Sequence, residues 1–258
     1  MTLAALGWQR FPAEAATRNW ADHALPAARA AVTDPANARW HVCEGTWFVG
    51  VDALPNDMLG RVGQGPDLSG AAVDAIRIWQ GAVPGLHAAQ ISVTYPGYPR
   101  PRTGESDAAF RFRLKRDAAH VDGVLAEGPE RRRFIREPHA FILGLALTDA
   151  DANAAPLVVW EGSHNIMRRA FARAFETHPP EHWSNLDVTD IYVAARREVF
   201  ETCRRIEQPL AAGETILVHP LLVHGVAPWA GSAQAGPDGR MVAYFRPLLG
   251  SVAEWLRL

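Results

Sequence analysis

Short apolar segments separated by Gly, Pro and Asp dominate the chain after residue 88. These segments cover residues 88–95, 139–147, 156–160, 215–218, 221–224 and 240–246. Residues 110–115 alternate Phe or Leu with Arg or Lys, which has the two-residue period of a half-buried strand. Many short strands with turn residues between them are typical of an all-β sandwich or barrel. We therefore expect a mainly β core with α-helical additions.

Helical patterns occur before this core and inside it. Residues 12–33 are Ala-rich with Pro26 as the only breaker in their interior, and residues 71–80 follow two candidate N-caps, Asp67 and Ser69. Apolar residues between 161 and 206 also recur at helical spacing. We predict a single domain over residues 1–258, with a mostly helical part at 1–87, the β core at 88–160 and 207–248, and a helical insert at 161–206.

The composition excludes several classes of protein. The 258 residues carry a formal charge of −2, whereas a general nucleic-acid binder has a clear basic excess. Cys43 and Cys203 are the only cysteines, which rules out a disulfide scaffold and favours a reducing compartment. No apolar run approaches the ~18 residues of a membrane span, and residues 1–10 do not resemble a signal peptide. We expect a cytoplasmic protein without nucleic-acid or membrane partners.

The string His120-Val-Asp122 is the first candidate for chemistry. It follows the predicted strand, and residues two apart in a strand point to the same side. An imidazole and a carboxylate side by side need one further ligand to complete a two-His-one-carboxylate metal site with open positions. Taken alone, the string is a weak signal for a metal site and is more often an ion pair at the end of a surface strand.

Two histidines in an apolar setting, His219 and His224, are available as the third ligand. They are five positions apart, so in one regular strand they would face opposite ways, although Pro220 interrupts the pairing. His224 is followed by Gly225, where the backbone can approach a ligand closely. We favour His224 over His219, since a histidine in an apolar segment is usually a core residue.

Arg240 opens the last predicted strand, sixteen residues beyond His224. A buried arginine beside a metal binds a carboxylate through two parallel hydrogen bonds. Arg246 is six residues further on and shares a face with Arg240 in a regular strand. The sequence leaves both arginines open as the carboxylate-binding residue.

Taken in order, these motifs resemble the phytanoyl-CoA dioxygenase-like family of Fe(II)/2-oxoglutarate-dependent oxygenases. The motifs are His120-Val-Asp122, Trp160-Glu-Gly-Ser-His164, the segment from His219 to Gly225, and Arg240. The similarity covers roughly residues 88–248. It implies a double-stranded β-helix, a distorted jelly roll of the cupin type, with helices packed outside. It also implies that His120, Asp122 and His224 bind iron and that Arg240 binds the distal carboxylate of 2-oxoglutarate.

The function implied by this resemblance is hydroxylation of an unactivated C–H bond in a small molecule. Fe(II), 2-oxoglutarate and O2 are required, and succinate and CO2 are released. Halogenases of the family lack the carboxylate ligand, so Asp122 favours hydroxylation. Val226 stands where the family commonly has a serine, which removes one contact to 2-oxoglutarate. The alternatives are a cupin-type zinc hydrolase with the same triad and a non-catalytic β-barrel that binds a ligand.

Four other features are weaker candidates. His164 is expected to serve a strand–helix turn. The proline-rich loop at residues 95–102 is either a rigid surface loop or a contact for a substrate carboxylate or phosphate. The basic residues at 131–133, together with Arg136, are interleaved with acidic residues, so a solvated face is favoured over an acidic substrate site. Trp160, Trp183 and Trp229 are expected to pack in the core.

Overall fold

The computed structural model describes residues 3–258, and all structural statements concern this range. Its α-helices are α1 Leu3–Leu6, α2 Ala15–Thr33, α3 Ala71–Gln80, α4 Asp107–Lys115, α5 Ser163–Phe175, α6 Thr189–Thr202 and α7 Val252–Arg257, and two 3-10 helices cover Pro35–Trp40 and Pro180–Asn185. Its strands are β1 Trp8–Phe11, β2 His41–Val42, β3 Trp47–Leu54, β4 Ala89–Thr94, β5 Val124–Glu127, β6 Arg132–Ile135, β7 Ile142–Ala146, β8 Leu157–Trp160, β9 Arg205–Gln208, β10 Thr215–Val218, β11 His224–Val226 and β12 Arg240–Phe245.

Two antiparallel sheets form the core. The larger sheet has the strand order β1-β10-β7-β12-β4-β3-β2, and the smaller has the order β11-β8-β9. Apolar side chains from both sheets meet in one buried layer, for example Ile142 and Val242 of the larger sheet with Leu157 and Val159 of the smaller. β5 and β6 form a separate hairpin. The predicted double-stranded β-helix is confirmed.

Helices cover the outer faces of both sheets. α2 and α3 pack on the larger sheet, and the buried face of α2 consists of Trp20 and small residues that allow close approach. α5, α6 and α7 pack with Trp160 and Val158 of the smaller sheet. The predicted helices at 12–33 and 71–80 are confirmed, but α3 is not capped by Asp67 or Ser69. Instead, the side chain of Glu14 accepts a hydrogen bond from the amide of Ala71 at 2.9 Å.

The predicted strand at residues 110–115 is wrong, because this segment belongs to helix α4. Ser106 caps the helix, since its hydroxyl oxygen accepts a hydrogen bond from the amide of Ala109. Phe112 is 58% exposed, so the alternation of apolar and basic residues does not reflect a buried face. The predicted strand at 221–224 is also displaced, since β11 begins only at His224.

The boundaries of the helical parts differ from the prediction. β1, β2 and β3 lie before residue 88 and join the larger sheet, so the β core includes part of the segment predicted to be mostly helical. α6 ends at Thr202, and Ile206 lies in strand β9 instead of on the helix. Within residues 3–258, no helix combines the length and the apolar composition that a membrane span requires.

Candidate metal centre

The fold brings His120, Asp122 and His224 together at one end of the barrel interior. His120 and His224 form a two-way backbone bridge, with N–O distances of 2.8 Å and 3.0 Å. Gly225 permits this approach, because a Cβ atom there would lie 2.1 Å from the carbonyl oxygen of Asp117. His120 therefore owes its position to pairing with β11 and not to a preceding strand.

The three side chains direct ligand atoms at a common point. One ligand atom from each residue lies within 4.8 Å of the others. The Nε2 atoms of His120 and His224 are 3.0 Å and 3.6 Å from Oδ1 of Asp122. In each imidazole, Nδ1 faces the carbonyl oxygen two residues earlier, at Ala118 (3.0 Å) and at Leu222 (2.8 Å). A proton on Nδ1 satisfies these carbonyls and leaves Nε2 free to bind a metal.

Asp122 is buried and ionised. Burial alone would raise its pKa, but the positive charge of Arg246 and hydrogen bonds from His120 and His224 hold the pKa well below its usual range. Nη1 of Arg246 donates to Oδ2 at 3.1 Å, which leaves Oδ1 on the side of the histidines. Burial alone would lower the pKa of His224, but the hydrogen bond to Asp122 and the charge of this carboxylate raise it. Two imidazoles and one carboxylate of this kind suit Fe(II) with positions left open.

Arg240 differs from Arg246 in having no counter-charge. Arg240 is 3% exposed, and neither Nη1 nor Nη2 has a hydrogen-bond partner within the described range. Its cross-strand neighbour Thr94 and nearby Tyr98 also carry buried hydroxyls without partners. Burial raises the pKa of Tyr98, so this hydroxyl stays protonated as a donor. A buried, unpaired guanidinium beside two free hydroxyls fits the carboxylate of a dicarboxylic acid such as 2-oxoglutarate.

A cavity of about 790 Å³ opens onto the three candidate ligands. Trp47, Val49 and Leu157 form part of its apolar wall, and Val226 lies on the same wall. Arg102 of the proline-rich loop also lines the cavity, with its guanidinium carbon 5.8 Å from the ring centroid of Trp47. The volume is in the range of pockets that hold small molecules.

His219 and His164 lie apart from this cavity. His219 is buried, its Nδ1 accepts a hydrogen bond from the amide of Leu221 at 3.1 Å, and burial lowers its pKa to about 3. The ring of His164 lies 4.8 Å from that of His219, and its Nε2 is 3.1 Å from the carbonyl oxygen of Ala4. Burial also lowers the pKa of His164, and Nε2 of His219 lies 3.0 Å from Nη2 of Arg168, so both are buried neutral imidazoles outside the cavity. Trp40 and Trp47 line the cavity, and nothing in their local sequence pattern distinguishes them from core tryptophans.

Comparison with known proteins agrees with this geometry. Residues 100–233, more than half of the chain, match the family described as phytanoyl-CoA dioxygenase (PhyH). The non-heme α-ketoglutarate-dependent carbocyclase SnoK from nogalamycin biosynthesis is 14% identical, with a TM-score of 0.52 over 95% of this chain and 81% of SnoK. EctD from S. alaskensis in its apoform is 15% identical, with a TM-score of 0.50 over 95% of this chain and 74% of EctD. None of the curated protein sequences matches the chain significantly.

Proposed function

Because the chain belongs to the phytanoyl-CoA dioxygenase family and is an Fe(II)/2-oxoglutarate-dependent oxygenase, we propose that it hydroxylates a C–H bond of a small molecule. His120, Asp122 and His224 are the proposed iron ligands. The observation that carries the proposal is the convergence of their three ligand atoms, with both Nδ1 atoms engaged by backbone carbonyls. When bound, Fe(II) with 2-oxoglutarate and O2 supplies the oxidation of the C–H bond, and succinate and CO2 are the coproducts.

Arg240 is the proposed ligand of the distal carboxylate of 2-oxoglutarate. Its buried guanidinium has two unpaired Nη atoms, and the hydroxyls of Thr94 and Tyr98 are unpaired beside it. Charge-assisted hydrogen bonds to a carboxylate satisfy these groups together. Arg246 is excluded from this role in the proposal, because its Nη1 already donates to Asp122.

Arg246 acts as a positioning residue in this proposal. By binding Oδ2 of Asp122, it fixes the carboxylate so that Oδ1 faces the metal position. The carboxylate also occupies the ligand position that halogenases of the family leave open for chloride. Hydroxylation is therefore the proposed outcome of the oxidation.

The remaining proposals concern context. We propose that residues 1–258 act as one domain, since strands from the first 54 residues are paired into the larger sheet. Cys43 and Cys203 are both free thiols, which supports a cytoplasmic location. The proposed partner is a small-molecule substrate held in the cavity of about 790 Å³.

The test is succinate formation by anaerobically purified protein supplied with Fe(II), 2-oxoglutarate and O2 over a panel of small molecules. Asp122→Ala is expected to abolish iron binding and succinate formation. His182→Ala, which changes an exposed histidine in a 3-10 helix, is the control and is expected to retain both. Succinate formation that survives Asp122→Ala would refute the proposal. Bound zinc with hydrolytic activity and no succinate would support the zinc hydrolase instead.

A further inference from the structure

The cavity wall next to His120 carries positive charges without partners. Arg116, Arg133 and Arg196 all line the cavity, and none forms an ion pair with a carboxylate of residues 3–258. Arginines that serve structure in the same region do have such partners: Arg113 lies 2.7 Å from Glu105. The three unpaired guanidiniums therefore need another explanation.

The three guanidiniums contact two aromatic rings of α6, Tyr192 and Phe200. The guanidinium carbons of Arg133 and Arg196 are each 5.2 Å from the ring centroid of Tyr192. Those of Arg116 and Arg196 are 4.4 Å and 5.3 Å from the ring centroid of Phe200. Arg196 is therefore the central member, and the ring faces hold all three guanidiniums by cation–π contacts.

Arg196 has unmet hydrogen-bonding capacity. Its Nη2 donates to the carbonyl oxygen of Ala119 at 2.6 Å, but its Nε is buried without a partner within the described range. Burial lowers the pKa of Arg196, and the positive charges of Arg133 and Arg116 act in the same direction. A bound anion relieves both the repulsion and the unmet hydrogen bond.

The carboxylates of the cavity do not supply this counter-charge. Asp122 forms an ion pair with Arg246, and Oε2 of Glu137 lies 3.5 Å from Nε2 of His139. Of the other arginines at residues 131–136, the exposed Arg131 lines the cavity without an ion pair within residues 3–258, whereas Arg132 pairs with Asp187 and Arg136 with Glu127 on the protein surface, as the sequence suggested. Arg133 departs from that pattern because the hairpin directs it to the cavity.

We infer that the substrate carries a carboxylate or phosphate group that binds Arg116, Arg133 and Arg196. The inference rests on the proposed function, because it takes the cavity as the place where the substrate meets the metal. Arg196 contacts the residue that precedes His120, so the anionic group and the oxidised carbon lie near each other in the substrate. The apolar wall of the cavity, which includes Trp47 and Val49, receives the hydrocarbon part.

The test is a calorimetric titration of the full chain, freed of metal by a chelator, with inorganic phosphate and separately with acetate. Arg116→Gln and Arg133→Gln are each expected to weaken binding of the preferred anion about tenfold, which corresponds to one charge-assisted hydrogen bond. Arg197→Gln is the matched control: it removes the same charge from the exposed side of α6, outside the cavity, and is expected to change affinity less than about twofold. Tighter binding of phosphate or of acetate identifies the anionic group.

Two results would overturn the inference: no saturable binding of either anion, or equal weakening by Arg197→Gln and Arg116→Gln. Melting temperatures of all variants establish that they are folded. Fe(II) and 2-oxoglutarate binding are measured on the same proteins and are expected to be unchanged in Arg116→Gln and Arg133→Gln. A wild-type protein that binds phosphate but no iron would refute the proposed function alone, so the two failures are distinguishable.

Discussion

Replacing Gly225 by alanine is expected to separate the two histidine-bearing segments. A Cβ atom at this position would lie 2.1 Å from the carbonyl oxygen of Asp117 and 3.1 Å from the amide nitrogen of Ala119. Non-bonded carbon and oxygen atoms do not approach closer than about 3 Å, so β11 must move away from the Asp117 carbonyl by about 1 Å. The opposing segment is a tight turn, with Asp117 and Ala118 at positive φ, and it has little freedom to yield.

The loss in the free energy of unfolding follows from the backbone hydrogen bonds at this contact. The bonds between His120 and His224 measure 2.8 Å and 3.0 Å, and the amide of Val226 donates to Asp117 at 2.8 Å. A displacement of about 1 Å breaks all three, and each contributes about 1 kcal/mol to the free energy of unfolding. The loss of about 3 kcal/mol corresponds to a decrease of roughly 6–12 °C in melting temperature for a chain of this size.

Thermal unfolding and metal titration measure this effect together. Gly231→Ala is the matched control, because Gly231 lies in the segment that follows β11 and no atom lies within 4 Å of a Cβ at that position. We expect Gly225→Ala to melt well below the control and to bind Fe(II) at least tenfold more weakly, since metal sites tolerate ligand shifts of only about 0.2 Å. Equal melting temperatures and equal metal affinities in the two variants would refute the reasoning.

Three further predictions concern the arginines and the core. In the presence of metal, 2-oxoglutarate is expected to raise the melting temperature of the wild type but not that of Arg240→Met, because this variant lacks the guanidinium that binds the distal carboxylate. An equal rise in both proteins would contradict the role of Arg240. Arg246→Gln is expected to reduce metal affinity by about 10- to 100-fold in a competition titration, because Asp122 loses its orienting partner; unchanged affinity would contradict this. The buried imidazole of His219 has its pKa lowered from 6.5 to about 3, so the unfolded chain binds the extra proton between these pH values. Stability should therefore fall as pH decreases from about 6.5 to 3, and urea unfolding of His219→Gln should show a flatter pH profile, whereas identical profiles would refute the effect.

The candidate ligands were recognisable in the sequence because two of them are two residues apart and the third ends an apolar segment. The reasons for their placement were only partly recognisable. Gly225 was expected to allow close approach of a ligand, but it allows close approach of the turn at Asp117. That contact joins segments more than 100 residues apart, so no local pattern reports it.

Helix α4 shows why a short alternating pattern misleads. Phe110 and Leu114 are four residues apart and share a helical face as readily as a strand face. Phe112 breaks the helical pattern, yet it is 58% exposed and contributes nothing to the core. The capping residue Ser106 was the available signal for a helix, and it lies outside the alternating segment.

No sequence pattern predicts the cluster of Arg116, Arg133 and Arg196. Arg116 follows α4, Arg133 lies in β6 and Arg196 lies in α6. Each is surrounded in sequence by acidic or basic neighbours that are typical of a solvated surface. Only the packing of α6 beside the metal centre separates these three from the arginines that form ion pairs.

The bridge between His120 and His224 consists of main-chain atoms alone. Alanine at either position deletes an imidazole and keeps both amides and both carbonyls in place. Loss of iron in such a variant therefore measures coordination and not collapse of the scaffold. Proline at either position lacks the amide proton, so it removes one of the two backbone hydrogen bonds that hold the candidate ligand segments together.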